Sequence, residues 1–185
     1  MNEKVEKIVI YVAFDPSGGE TIHEAFVMYM IGDQVSEIYN MSMFFDETSE
    51  ESIRDGIFDE ETDSRFIDKE KTKLHLMTLE GTENYMEQIF EMINVLDAKG
   101  DIEYVIYNES VSHSDFFYDL EEYIQNKDDY FLPVKFCDVF VVDSDIGSLL
   151  TKYGLTNHSY SKDSPISCAV YTGILFDIGI GRYHQ

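Results

Sequence analysis

The chain has 185 residues, 44% of them hydrophobic and 14% aromatic, with thirteen Tyr, thirteen Phe and no Trp. That length bounds it to about one domain, here residues 1–185, and the apolar content excludes wholesale disorder. With 37 acidic residues against 13 basic ones the net charge is −24. Duplex DNA carries about one negative charge per 1.7 Å, so direct nucleic-acid binding is not expected over most of this surface.

In chain order, Val5–Phe14 (VEKIVIYVAF) is β-branched and apolar and predicts a central strand. Asp15-Pro16-Ser17-Gly18-Gly19 is a turn by composition. Ile22–Ile31 and Val35–Phe44 predict two more strands joined by a hairpin break at Gly32-Asp33. The chain thus opens as a three-stranded meander. Asp46–Thr72 then holds eleven acidic and four basic residues. It is either a solvated excursion or a pair of short polar helices, and its length makes it a contact candidate.

Glu83–Lys99 predicts a helix, with Thr82 as its cap, Met86, Ile89, Phe90, Ile93 and Leu96 at helical spacing, and Gly100 as its stop. Ile102–Tyr107 reads as a buried strand and Ser114–Gln125 as a second helix. Pro133–Val142 gives a fifth strand. Asp145–Tyr153 is a short helix ending at Gly154, and Pro165 opens a last helix running to about Phe176. Ile178–Gln185 is indeterminate. The order β-β-β-α-β-α-β-α-α predicts an α/β fold, a mixed sheet with helices on its faces.

No run approaches 18 apolar residues, so no membrane partner is expected. Met1-Asn2-Glu3-Lys4 opens no signal-peptide h-region. Cys137 and Cys168 lie in apolar surroundings without CxxC or Cys/His spacing. They read as reduced core thiols of a cytoplasmic protein. His23, His75, His113, His158 and His184 form no HxxxH or HExxH pattern and read as structural or surface residues. Asp143-Ser144-Asp145-Ile146-Gly147 lacks the later ligands of a calcium loop. Neither Gly18-Gly19 nor Gly179-Ile180-Gly181 has a phosphate-loop context.

Several phrases, in order, resemble the DEDD proofreading-type 3′–5′ exonucleases of the ribonuclease H-like fold. They are Phe14-Asp15-Pro16-Ser17-Gly18-Gly19 at the end of the first strand, Tyr107-Asn108-Glu109-Ser110-Val111-Ser112 after the Ile102 strand, and Phe136-Cys137-Asp138 followed by Ser148 to Leu155. The stretch Asp163 to Thr172 is similar to the family's last motif. The resemblance implies a ribonuclease H-like mixed sheet. It also implies a site of four carboxylates holding two divalent ions, which activate water and stabilise the leaving oxygen.

The departures decide the expected chemistry. Only Asp15 keeps its carboxylate; Ser17, Ser112 and Cys168 stand at the other three ligand positions, and Asp163 stands at the general-base histidine. A hydroxyl does not neutralise a hard cation, and a thiol is a poor magnesium ligand. Asp15 itself is equally readable as an Asx-turn residue.

The expectation is a catalytically inactive, exonuclease-like protein with no metal or other cofactor. Its carboxylates Asp46, Glu47, Glu50, Glu51, Asp55, Asp59, Glu60, Glu61 and Asp63 would engage a basic surface of a nucleic-acid-handling enzyme, as a nucleic-acid mimic of anti-restriction or anti-CRISPR type. The alternatives are a divergent exonuclease using magnesium or manganese, with Glu20, Glu109 or Asp115 supplying relocated ligands, and a non-catalytic assembly subunit. An active exonuclease also needs a basic groove, whereas Lys127, Lys135, Lys152, Lys162 and Arg182 are dispersed.

Overall fold

The computed structural model describes residues 6–14, 22–42, 50–58, 65–78, 85–97, 103–107, 119, 122, 136–139, 146–154, 165–177 and 182–183. Strands β1 (Glu6–Phe14), β2 (Ile22–Ile31) and β3 (Gln34–Ser42) form the expected antiparallel meander. Two residues, Gly32 and Asp33, turn the chain between β2 and β3. Gly32 takes φ +63°, the left-handed conformation that a two-residue hairpin needs at its first position. Helix α1 (Glu50–Ile57) and strand β4 (Lys73–Thr78) follow, then α2 (Tyr85–Asp97), β5 (Glu103–Tyr107) and β6 (Phe136–Val139). Helices α3 (Ile146–Lys152) and α4 (Pro165–Asp177) and strand β7 (Arg182–Tyr183) complete the described chain.

The fold is α/β. Its mixed sheet has the order β4-β3-β2-β1-β5-β6-β7. Pairing is antiparallel within β1–β2–β3 and between β6 and β7, and parallel for β3–β4, β1–β5 and β5–β6. Strand β1 lies at the centre with helices on both faces, which is why its sequence is a near-continuous apolar run. On one face Val9, Tyr11, Phe26, Met28, Met30 and Ile38 pack under α4, with α1, Phe66 and Ile67 closing the side. On the other, Ile8, Ile10, Val12, Ala25, Val27 and Met41 meet Ile89, Met92, Ile93 and Leu96 of α2. Each such aliphatic side chain contributes roughly 1.5–3 kcal/mol on burial.

Three sequence expectations need correction. Among its described residues Asp46–Thr72 contains the helix α1, while residues 46–49 and 59–64 lie outside them. The helix is followed by a turn whose Phe66 and Ile67 are buried, so the stretch is not a wholly solvated excursion. Strand β4 was not expected at all, because its sequence KLHLMT interrupts apolar residues with Lys73 and His75. The tail gains β7, paired with β6. The expected Ser114–Gln125 helix lies almost entirely outside the described residues.

Candidate functional site

Of the positions the exonuclease resemblance singled out, Asp15, Ser17, Ser112 and Asp163 lie outside the described residues. Cys168 lies on α4, 3% exposed, in the cluster that includes Val9, Tyr11 and Tyr171. It is a buried thiol, as expected. Cys137 is on β6. Among the described residues no group of three or more His, Cys, Asp or Glu could hold a metal ion. No described helix is long and apolar enough to cross a membrane.

A polar pair that sequence reasoning missed sits on the α4-facing side of the sheet, near the carboxyl end of β1. Glu24 pairs across the sheet with Ala13 on one side and Ser42 on the other. Asn40, 1% exposed, donates from Nδ2 to the Glu24 carboxylate at 2.9 Å. Its Oδ1 is buried without a hydrogen-bond partner. The signal was present: Glu24 and Asn40 occupy inward phases of otherwise apolar strands, where a polar side chain is the informative exception. A buried carboxamide oxygen beside a carboxylate is a place for an ordered water.

The acidic surface can be built from α1 upward. Ile57 is buried, and Ile53 and Phe58 pack against the same cluster, which anchors the helix by one face. The opposite face presents Glu50, Glu51 and Asp55 to solvent, with Glu50 paired to Arg54 at 3.2 Å, one turn apart. Asp46, Glu47, Asp59, Glu60, Glu61 and Asp63 lie outside the described residues. Helix α2, on the other face of the sheet, exposes Glu87, Glu91 and the apolar Val95 at i, i+4 and i+8. Exposed carboxylates therefore lie on both sides of the sheet, on α1 and on α2, and the α2 pair was not among the expected site residues.

A second feature is concealed in the net charge of Asp46–Thr72, where acidic residues outnumber basic ones. Residues 65–73 contain Arg65, Lys69, Lys71 and Lys73 against Asp68 and Glu70, a basic island in a chain of net charge −24. The island is tied to β3 by three hydrogen bonds. Val35 N–H donates to the Phe66 carbonyl at 2.8 Å, the buried Thr72 hydroxyl donates to the Val35 carbonyl at 3.0 Å, and Gln34 Nε2 donates to the Arg65 carbonyl. Within the turn, the Asp68 carboxylate accepts the Glu70 N–H at 3.0 Å. That bond, followed by the Lys71 ammonium, holds the Asp68 carboxyl below its usual range. Thr72→Val should cost about 1 kcal/mol, the worth of one buried hydrogen bond. It should also raise amide exchange across residues 65–72, read by hydrogen-exchange mass spectrometry.

Further along β4, His75 Nε2 lies 3.0 Å from Glu37 Oε1, and its ring stacks on Tyr39 at 4.3 Å. Burial, then the Glu37 charge, raises the Tyr39 phenol pKa. At the other end of the meander Tyr29 donates to Glu6 at 2.6 Å. Burial, followed by that carboxylate, pushes the Tyr29 phenol up to about 12. Both are structural contacts on the sheet.

Compared with known proteins, the chain matches no protein-family profile, and no curated protein or solved structure matches it significantly.

Proposed function

We propose that the chain is a non-catalytic, exonuclease-like binding protein that engages a basic surface of a nucleic-acid-handling enzyme. The observation that carries the reading is the net charge of −24 displayed in part from an anchored helix, α1. Grooves built from Lys and Arg to accept phosphate also attract arrayed carboxylates. The finer fold reading, a ribonuclease H-like core, is supported by the order β3-β2-β1-β5-β6, with antiparallel neighbours on one side of β1 and parallel ones on the other. Strand β4, parallel and outside β3, is an addition to that core. The absence of catalysis rests on Ser17, Ser112 and Cys168 standing where the resemblance places metal-binding carboxylates.

The test is titration of the protein against a basic nuclease at two salt concentrations. Inhibition should be present at low salt and fall steeply as the screening length shrinks from roughly 30 Å at 0.01 M to about 8 Å at 0.15 M. Neutralising Glu50→Gln, Glu51→Gln and Asp55→Asn together should weaken inhibition several-fold, since surface pairs contribute roughly 0.2–1 kcal/mol each. Inhibition indifferent both to salt and to this variant overturns the mimic reading. Nuclease activity with magnesium or manganese that Asp15→Asn abolishes replaces it with the divergent exonuclease.

A further inference from the structure

We infer that β4 and the basic turn before it form a second interaction surface, one that takes an extended acidic polypeptide segment by strand addition. β4 ends the sheet, and among the described residues its outer edge has no strand partner. An edge strand offers a ladder of backbone donors and acceptors to an incoming chain. Its side chains suit that role. Leu74 and Leu76 lie partly buried against one core cluster and Met77 against the other, while His75 is also half-exposed. A partner strand would therefore meet apolar surface on both sides of the pleat.

Charge chooses the occupant. Lys69, Lys71 and Lys73 are exposed, Lys71 pairing with Asp68 at 3.1 Å on the surface, and Arg65 is exposed with its guanidinium 5.1 Å over the Phe66 ring. Against these stand Asp68 and Glu70 of the turn, Asp33, which accepts from the Gln34 Nε2 that also bonds the Arg65 carbonyl, and Glu37, which is engaged by His75. Lysines on an edge discourage pairing with a second copy, because the same cations would approach one another. A strand carrying carboxylates at its ends meets the opposite condition. The surface also lies away from the carboxyl end of β1. Parallel β3 and β4 begin where β1 begins, so the turn sits at the end of the sheet near Glu6 and Gly32.

The probe is a fluorescein-labelled peptide of alternating valine and threonine flanked by glutamates. It is titrated into the full chain at 0.15 M salt, where charges beyond about 8 Å are screened. The expected result is saturable binding, weakened roughly tenfold or more by Lys69→Glu/Lys71→Glu/Lys73→Glu, and lost when alternate peptide nitrogens of the probe are methylated. Circular dichroism checks that the triple variant folds. Undiminished binding of the methylated probe overturns strand addition, and no binding overturns the site. Tighter binding of a single-stranded oligonucleotide overturns the choice of polypeptide. A dimer in light scattering that the triple variant dissolves hands the edge to a second copy instead. Inhibition of a nuclease through α1 is read separately, so either proposal can fail alone.

Discussion

Asp177→Leu should destabilise the protein by about 3–5 kcal/mol, whereas Lys7→Met/Asp177→Leu should return it close to the parent. Lys7 is fully buried. Its ammonium donates to both Asp177 oxygens, at 2.9 and 2.8 Å, and to the Gly32 carbonyl at 2.6 Å. Those bonds tie the start of β1 to the β2–β3 hairpin and to the last residue of α4, where a lone carboxylate would oppose the helix dipole. Removing only the carboxylate strands a buried cation, and that error is the expensive one. Removing both charges exchanges an ion pair for apolar packing, which is often neutral or better. Lys7→Met alone should cost less, because the Asp177 side chain keeps 26% of its exposure and can hydrate.

The pH dependence follows from the directions of the two shifts. Burial, outweighing the bonds to Asp177, lowers the Lys7 pKa from 10.5, so the folded protein gives up that proton before the unfolded chain does. The stability linked to Lys7 is therefore full above 10.5 and lost as pH falls through the lowered value. Burial likewise raises the Asp177 pKa above 3.8, outweighing Lys7. Its linked stability is full below 3.8 and lost as pH rises through the raised value. Both partners lean towards neutrality, as a pair held by geometry against its own desolvation should. In the double variant both of these contributions vanish, which denaturation curves at the alkaline and acid ends can read.

Nothing local in the sequence announces this pair. In Val5–Phe14 the lysine is one of two adjacent charged residues, Glu6 and Lys7, before an apolar run, and only the fold returns a partner from 170 positions later. What was legible was periodicity. The run through β1, the Gly32-Asp33 break and the Ile89, Ile93, Leu96 spacing each followed from apolar pattern or turn chemistry. Gly154 likewise ends α3 in the left-handed conformation, at φ +73°. Strand β4 escaped although Leu74 and Leu76 alternate, because Lys73 and His75 match the polar stretch before them. Helix α1 shows only Ile53, Ile57 and Phe58 against a background of acids, a faint stripe that gains meaning once a sheet lies beneath it. Of the expected acidic site, Glu50, Glu51 and Asp55 are exposed together on α1. The basic island is masked by the eleven acidic residues of Asp46–Thr72, which outweigh its cations.

Gly173→Val should cost about 3 kcal/mol, and Gly173→Ala about 0–2, although alanine is the better helix former. A Cβ at residue 173 would lie 2.5 Å from Met30 Sδ, 3.0 Å from Val9 Cγ2 and 3.1 Å from Lys7 Cε. Replacing a mid-helix glycine by alanine gains about 1 kcal/mol of propensity, but forcing atoms into a filled core costs about 1–3 kcal/mol. Met30 is fully buried, so its sulfur has little room to give way. The sign therefore turns on Met30. Met30→Ala alone should cost about 2–5 kcal/mol, while in that background Gly173→Ala should become neutral or stabilising, a coupling of at least about 1 kcal/mol by urea denaturation. The same glycine governs the buried pair, since residues 173 and 177 are one turn apart on one face of α4. Close approach at Gly173 brings Asp177 within reach of Lys7. In a Gly173→Val background, where α4 is pushed from the sheet and water reaches Lys7, Asp177→Leu should therefore cost clearly less than it does in the parent.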